Sequence, residues 1–541
     1  MNAPVKPAGA SQLASSEATL RRSQPESEWW RGATIYQIYP RSFADSNGDG
    51  DGDLRGILDR LDYIAELGVD AVWLSPFFKS PMKDMGYDVS DYRAVDPMFG
   101  TLEDFRALVS ACHERQLKVI IDQVYSHTSN EHPWFVESAS SRDNPKADWY
   151  VWADPKPDGG PPNNWLARFG GIAWEWSSAR RQYYLHNFLT EQPDLNVHNP
   201  EVQAEIIDTM RFWFDAGVDG LRLDVVNFFM HDPQLRDNPP RLHNDLPNNP
   251  NWMQQHLYNI SRPENLPFLA KMRAAADGAA DRMLLGEIAC DRQIERMAEY
   301  TSAGRLHTAY SFELLGARLD GAHIARSVQE AGAADAWPCW AFSNHDVIRV
   351  VTRWAAEGNL PRIELFQALL LSLRGTVILY QGEELGLAHG DVPRHRLQDP
   401  EAIRLWPNHR RRDGARTPFP WRAEGISLGF SEADGWLPAD PIHAAFAVAA
   451  QEKQESSALA RCRRLIALRQ SSPALRLGSF EVLRTGPTSL VFIRRHNDEA
   501  LLCGFNFGAA QEPLDAQGEI LAGALEGGHL APDGYVILRL Q

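Results

Sequence analysis

The chain has 541 residues, too many for one hydrophobic core, so more than one folding unit is expected. Hydrophobic residues make up 44%, charged residues 23% and aromatic residues 10%, which excludes collagen-like, coiled-coil and mostly disordered chains. With 54 Lys and Arg against 71 Asp and Glu, the net charge of −17 repels nucleic acid and anionic membranes and favours small neutral partners.

Residues 1–27 are rich in Ser, Ala, Gln and Pro and lack an apolar segment, so they read as a disordered leader rather than a signal peptide. Short β-branched and aromatic runs then recur at 34–38, 71–74, 118–122, 220–224, 283–286, 308–312, 339–343 and 377–381. Helical patterns separate them. In one, Leu58, Leu61, Ile64 and Leu67 fall three apart and Gly68 ends the stripe. Eight strand–helix units are the number that closes a (β/α)8 TIM barrel, at about 30 residues each. The fold class predicted is therefore α/β, with 28–125 and 200–472 as two parts of one barrel. The long Pro-, Asn- and Trp-rich stretch 126–199 is read as a domain inserted after the third strand. A second excursion, 384–451, is rich in Arg, Pro and Trp and is assigned to the rim of a site. From 473 to 541 alternating segments at 490–494, 501–507 and 535–540 predict an antiparallel β-sandwich domain.

No apolar run approaches the ~18 residues needed to cross a bilayer. The five cysteines, Cys112, Cys290, Cys339, Cys462 and Cys503, are odd in number and unpaired in spacing, so a disulfide framework is not expected. These features predict a cytoplasmic protein, monomeric or homodimeric.

Reactive groups of a barrel lie at the C-terminal ends of its strands. The fourth run ends in Arg222-Leu223-Asp224, the fifth in Gly286-Glu287, and the seventh leads into Asn344-His345-Asp346. Three carboxylates from three strands therefore meet on one rim, where like charges force their proton affinities apart. That division suits glycoside cleavage. Arg222, two residues before Asp224, shares its face of the strand and is expected to keep Asp224 ionised. Asp122 and His127 follow the third run on the same rim.

The segments 122–127, 220–224, 286–287 and 343–346 resemble the four sequence regions of the α-amylase family, glycoside hydrolase family 13. The resemblance covers nearly all of the chain after the leader, with Ser126 standing where the family usually has Asn. It implies Asp224 as nucleophile, Glu287 as general acid/base, and Asp346 as the residue that holds ring hydroxyls and favours distortion. His127 and His345 would bond hydroxyls of the same sugar. The implied chemistry is a retaining double displacement.

The stretch 192–196, Gln-Pro-Asp-Leu-Asn, resembles the oligo-1,6-glucosidase and α-glucosidase branch. That resemblance implies that Tyr87 stacks on a terminal glucose while Asp88 and an Arg after the eighth strand hold its outer hydroxyls. Arg412 is the first choice for that Arg and Arg416 the second. Such a pair closes a one-sugar site and makes cleavage exo. Val225 resembles 1,6-cleaving members, whereas 227–240 and 262–265 resemble proteobacterial enzymes that prefer short α-1,4 substrates and transfer glucose to alcohol acceptors. Sucrose or trehalose isomerisation is the alternative within the branch. A non-catalytic transporter subunit is disfavoured by the intact carboxylates. Finally, 45–53 places oxygen groups at every second position, as hard-cation loops do. The family resemblance implies a structural Ca2+ or Mg2+ on Asp45, Asn47, Asp49, the Asp51 carbonyl and Asp53. No nucleotide-binding motif follows a strand.

Overall fold

A computed structural model describes residues 28–541 other than 243–246, 248, 280, 317, 334–335 and 408–411. The leader expected over 1–27 lies outside the described residues. Eight parallel strands form one sheet: β1 Thr34–Ile38, β2 Ala71–Leu74, β3 Lys118–Gln123, β4 Gly220–Leu223, β5 Met283–Ile288, β6 Thr308–Ser311, β7 Cys339–Ala341 and β8 Thr376–Tyr380. Each pairs with the next in sequence, β8 returns to β1 through Thr34 and Val377, and a bridge from Ala309 to Pro338 joins β6 to β7. The ring is closed.

The strands are buried on both faces, and their period of two sorts residues into two clusters. Ile35, Ala71, Trp73, Ile120, Leu285, Tyr310, Cys339 and Ile378 pack inside the ring, whereas Tyr36, Val72, Ile121, Leu221, Leu284 and Val377 face the helices. The inward phase carries on to Asp122, Arg222, Asp224 and Glu287. The barrel's alternation thus delivers the polar groups to one mouth. Several strands stop earlier than the sequence suggests: β4 ends at Leu223 and β7 at Ala341, because the residues beyond leave the ladder to build the site.

Between β3 and the helix Pro200–Asp215, a three-stranded antiparallel sheet of Trp152–Ala153, Gln182–Leu185 and Trp174–Ser177 packs around the buried Trp165 and Trp174. At the C terminus Glu481–Thr485, Ser489–His496, Glu499–Asn506, Tyr535–Arg539 and Glu519–Gly523 make a five-stranded antiparallel sheet, with a ribbon of Glu512–Pro513 and His529–Leu530 beside it. Arg494 fastens this sheet to the barrel by donating to the carbonyls of Ser372 and Gly478. Among the described residues no helix is long and apolar enough to cross a membrane, and all five cysteines are free thiols.

Candidate active site

Arg222 is fully buried at the centre of the mouth, 5.0 Å above the Trp73 ring. Its Nη1 donates to Asp122 Oδ1 and to Asp224 Oδ1, both at 2.7 Å, and its Nη2 lies 2.6 Å from Glu287 Oε1. Tyr310 accepts from Nη2 at 2.9 Å and passes its own hydroxyl proton toward Glu287 Oε1 at 2.7 Å. One cation therefore serves three carboxylates. Burial pushes Asp224 well above the usual carboxylate range; Arg222 opposes this, and the charges of Glu287 and Asp122 add to it. Asp122 rises to about 6, again through burial against the pull of Arg222. Arg222 divides its charge among the three acids, so it opposes the effect of burial on Asp224 without cancelling it.

Asp346 is set differently. Burial alone would raise it, but His345, Arg416 at 2.7 Å and Arg412 at 3.3 Å overcome that cost and hold it well below the carboxylate range. Arg412 also donates through Nη2 to Asp399 at 2.8 Å and to Asp84 at 3.1 Å, closing one end of the cavity. Burial lifts Asp84 to about 6 despite Arg412 and Arg416.

Here the sequence reading is corrected: the partner of Arg412 across the cavity is Asp84, not Asp88. Asp88 is fully buried and turned into its own loop, where it accepts from Ser80 Oγ at 3.0 Å, Lys83 N at 2.9 Å and Asp84 N at 3.0 Å. Those donors leave it no face toward a ligand. Arg416 also lies behind the cavity wall, donating to Asp346 and to the His345 carbonyl at 2.7 Å. It fixes Asp346 in place instead of meeting a substrate. His345 is likewise fully buried, with Gln37 Nε2 at 2.8 Å from its Nδ1 and the Tyr87 ring stacked on it at 5.4 Å. His127 does face the cavity, and the Ser126 hydroxyl sits 2.8 Å from its Nδ1. Burial depresses His127 to about 4, so it is neutral.

The cavity has a volume of about 500 Å3. Asp84, Tyr87, His127, Asp224, Glu287, Asp346 and Arg412 line it, together with Arg168, Phe188, Trp252, Phe312 and Glu401. The arrangement brings Asp224, Glu287 and Asp346 to one cavity with the Arg412–Asp84 pair in the same wall.

The catalytic domain of alpha-amylase matches residues 37–478 as a family. The chain belongs to the alpha-amylase family. A probable alpha-glucosidase of Rhizobium meliloti (strain 1021) is 52% identical over 503 residues, covering 91% of each chain. An oligo-1,6-glucosidase of Heyndrickxia coagulans is 37% identical over 88% of this chain and 92% of its own. The crystal structure of an alpha-glucosyl transfer enzyme, XgtA, superposes with a TM-score of 0.91 at 51% identity, covering 95% of this chain and 99% of that one. The protein is thus a glycoside hydrolase of the α-glucosidase and oligo-1,6-glucosidase branch of the alpha-amylase family.

Within this alpha-amylase scaffold, sequence reasoning missed Asp84, Tyr310, Asp399 and Gln192. Gln192 donates to Asp84 Oδ2 at 3.1 Å and so ties the 126–199 segment to the closed end. Tyr310 carried a usable signal, since it lies on the inward phase of β6. Asp84 and Asp88 are both acids flanking Gly86, and nothing in spacing separates them.

The 45–53 loop curls on itself: Asp45 Oδ1 accepts from Gly48 N at 2.7 Å, Asn47 Oδ1 from Asp49 N at 2.9 Å, and Asp49 Oδ1 from Asp51 N at 2.9 Å. The Asp51 carboxylate pairs with Arg41 at 2.6 Å, and Asp53 caps the helix Leu54–Asp59 through Gly56 N. Its donors are all hard oxygens, the chemistry Ca2+ and Mg2+ require. Among the described residues no three His, Cys, Asp or Glu side chains gather as a metal cluster, so an ion here needs the Asn47 amide and the Asp51 carbonyl as well.

Proposed function

We propose that this protein is a retaining, exo-acting α-glucosidase. It removes terminal non-reducing glucose from short oligosaccharides, with maltose-type α-1,4 links favoured, and transfers glucose to alcohols. The observation that carries the reading is the cavity with Asp224 and Glu287 at the bond to be broken and the Arg412–Asp84 pair across its far end. A chain that continued past the terminal glucose would have to displace that buried ion pair, so the site accepts ends.

In this reading Asp224 attacks the anomeric carbon as a carboxylate backed by Arg222. Glu287 acts as the acid and gives a proton to the leaving oxygen. Asp346, kept charged by two arginines, bonds the 2- and 3-hydroxyls most strongly as the ring distorts. His127, neutral, lines the same cavity with its Nε2 set between the Tyr87 carbonyl at 3.0 Å and the Gln192 amide at 3.1 Å. Glu287, now a carboxylate, then removes a proton from water, giving glucose, or from an alcohol, giving a glucoside. The apolar surfaces of Phe188, Phe312 and Trp252 in the cavity wall support binding of an alcohol in place of water.

The resemblance of 227–240 favours α-1,4 over α-1,6 links, and the 52% identical probable alpha-glucosidase supports the same choice. The likeness to XgtA, an alpha-glucosyl transfer enzyme, supports transfer. Incubation with maltose, isomaltose, sucrose and trehalose, with and without an alcohol, tests all of this at once. The expected products are α-glucose fastest from maltose and an α-glucoside when alcohol is present. β-Glucose as first product, or a rearranged disaccharide as main product, overturns the reading. We further propose that the 45–53 loop takes Ca2+ or Mg2+ structurally. A melting temperature unmoved by a chelator and by added Ca2+ or Mg2+ rejects the ion. The five free cysteines support a reducing, cytoplasmic setting.

A further inference from the structure

Val225, the residue after Asp224, has a left-handed backbone with φ 34° and ψ 49°. β-Branched side chains avoid this region, and Val225 is the only Val, Ile or Thr with such a φ among the described residues. Packing holds it there. Its side chain is buried with Phe228, Ile260 and Ala289, and its carbonyl accepts from Phe228 N at 2.7 Å to start the turn Val226–Phe228.

The result is a redirected N–H. Asp224 N still makes a ladder bond to the Gln123 carbonyl at 2.9 Å, but one residue later the Val225 N–H points at the Glu287 side chain on β5, 3.1 Å from Oε2. The two oxygens of Glu287 are therefore unlike. Oε1 meets the Tyr310 hydroxyl and the Arg222 guanidinium, whereas among the described residues Oε2 meets the Val225 N–H alone. Donors favour the unprotonated oxygen of a carboxylic acid, so the proton belongs on Oε2.

We propose that Val225 is a positioning residue whose strained backbone aims the proton-bearing oxygen of Glu287 at the leaving group. The proposal rests on the reading of Glu287 as acid/base. As Asp224 bonds to the anomeric carbon, the bond from that carbon to the leaving oxygen breaks, its electron pair stays on the oxygen, and the Oε2 proton joins it. Water then gives a proton back to Oε2 while its oxygen bonds to the same carbon and the Asp224 ester opens.

The test compares maltose, whose sugar leaving group needs a proton, with α-glucosyl fluoride, whose fluoride does not. Val225→Gly keeps the N–H but frees the backbone. Its kcat/KM on maltose is expected to fall about 100-fold, the scale of a positioned general acid. On the fluoride it should stay within about threefold, which also reports that the sites are folded. Val225→Thr, β-branched and isosteric, should restore most of the maltose activity. Equal losses on both substrates, or none on maltose, overturn the proposal. Glu287→Gln is measured alongside by kcat/KM, which reports the first step: a loss confined to maltose upholds the acid/base reading, whereas an equal loss on both substrates overturns that reading and leaves Val225 nothing to position.

Discussion

The two ends of the catalytic cluster use the same residue types in opposite proportion. Around Arg222, one guanidinium faces Asp122, Asp224 and Glu287, and burial drives the two aspartates upward. Around Asp346, two guanidiniums, Arg412 and Arg416, face Asp84, Asp346 and Asp399; Asp346 and Asp399 are held down, and only Asp84 rises. The ratio of cations to acids decides what each end can do. The first, with one cation among three buried acids, raises the proton affinity of its aspartates. The second has fixed charge with which to grip a ring.

The sharpest break in this comparison removes the attacking acid. Asp224→Ala is expected to lower kcat on maltose by at least about 1,000-fold, since only positioning and acid assistance remain. Steady-state rates within tenfold of the unchanged protein count against the assignment. At the other end, Arg412→Ala strands Asp84 and Asp399, both buried beside it. Leaving buried charges unpaired costs about 3–5 kcal/mol, so chemical denaturation should show a loss of that order. The kcat/KM on maltose should drop as well, whereas an opened cavity should improve longer oligosaccharides relative to maltose. An unchanged chain-length profile breaks the closed-end argument.

What the sequence disclosed and what it hid follow the same physics. Strand periodicity is local, so β1 to β8 and the inward phase that carries Asp122, Arg222, Asp224 and Glu287 were legible from runs of residues alone. The family motifs sit on that phase. The strand ends were less legible, because the chain leaves the ladder after the Asp224 N–H bond to Gln123 and after Ala341, and the apolar runs continue past both points. Choosing Asp88 over Asp84 failed for a different reason. Which of two acids four residues apart faces the cavity depends on the turn at Gly86, whose φ of 105° no pattern of neighbours announces. The division of Arg222 among three acids is a tertiary fact in the same sense, since Asp122 and Glu287 come from different strands.

A milder probe is pH. Asp84 titrates near 6 in the folded protein, above its ordinary value of 3.8. The raised value means that folding favours its protonated form: the stabilisation is complete below about pH 4 and is lost as pH rises through 6. Asp122 behaves alike. Asp346, held low, has the opposite sign, contributing above its ordinary value and losing that contribution as pH falls. For binding, the ionised Asp84 is the better acceptor for sugar hydroxyls, so KM for maltose should climb below pH 6. In Asp84→Asn that climb should vanish, with a KM higher at neutral pH and flat from 5 to 7. A KM that still climbs in the variant assigns the titration to the Arg222 cluster.

The smallest effect is expected where the sequence pointed first. Asp88→Asn keeps one oxygen to accept from the loop but turns an acceptor into a donor toward Ser80, Lys83 N or Asp84 N. Such a mismatch in a buried site costs about 1–3 kcal/mol, which a melting curve resolves. Substrate contacts should survive, because Asp84 remains tied from the cavity side by Arg412 and Gln192. The ratio of kcat/KM between maltose and isomaltose should therefore match that of the unchanged protein, even as stability falls. A changed ratio without lost stability returns Asp88 to the substrate, and with it the whole arrangement argued for the closed end. Placing Asp84→Asn and Asp88→Asn side by side separates holding the sugar from holding the loop that holds the sugar.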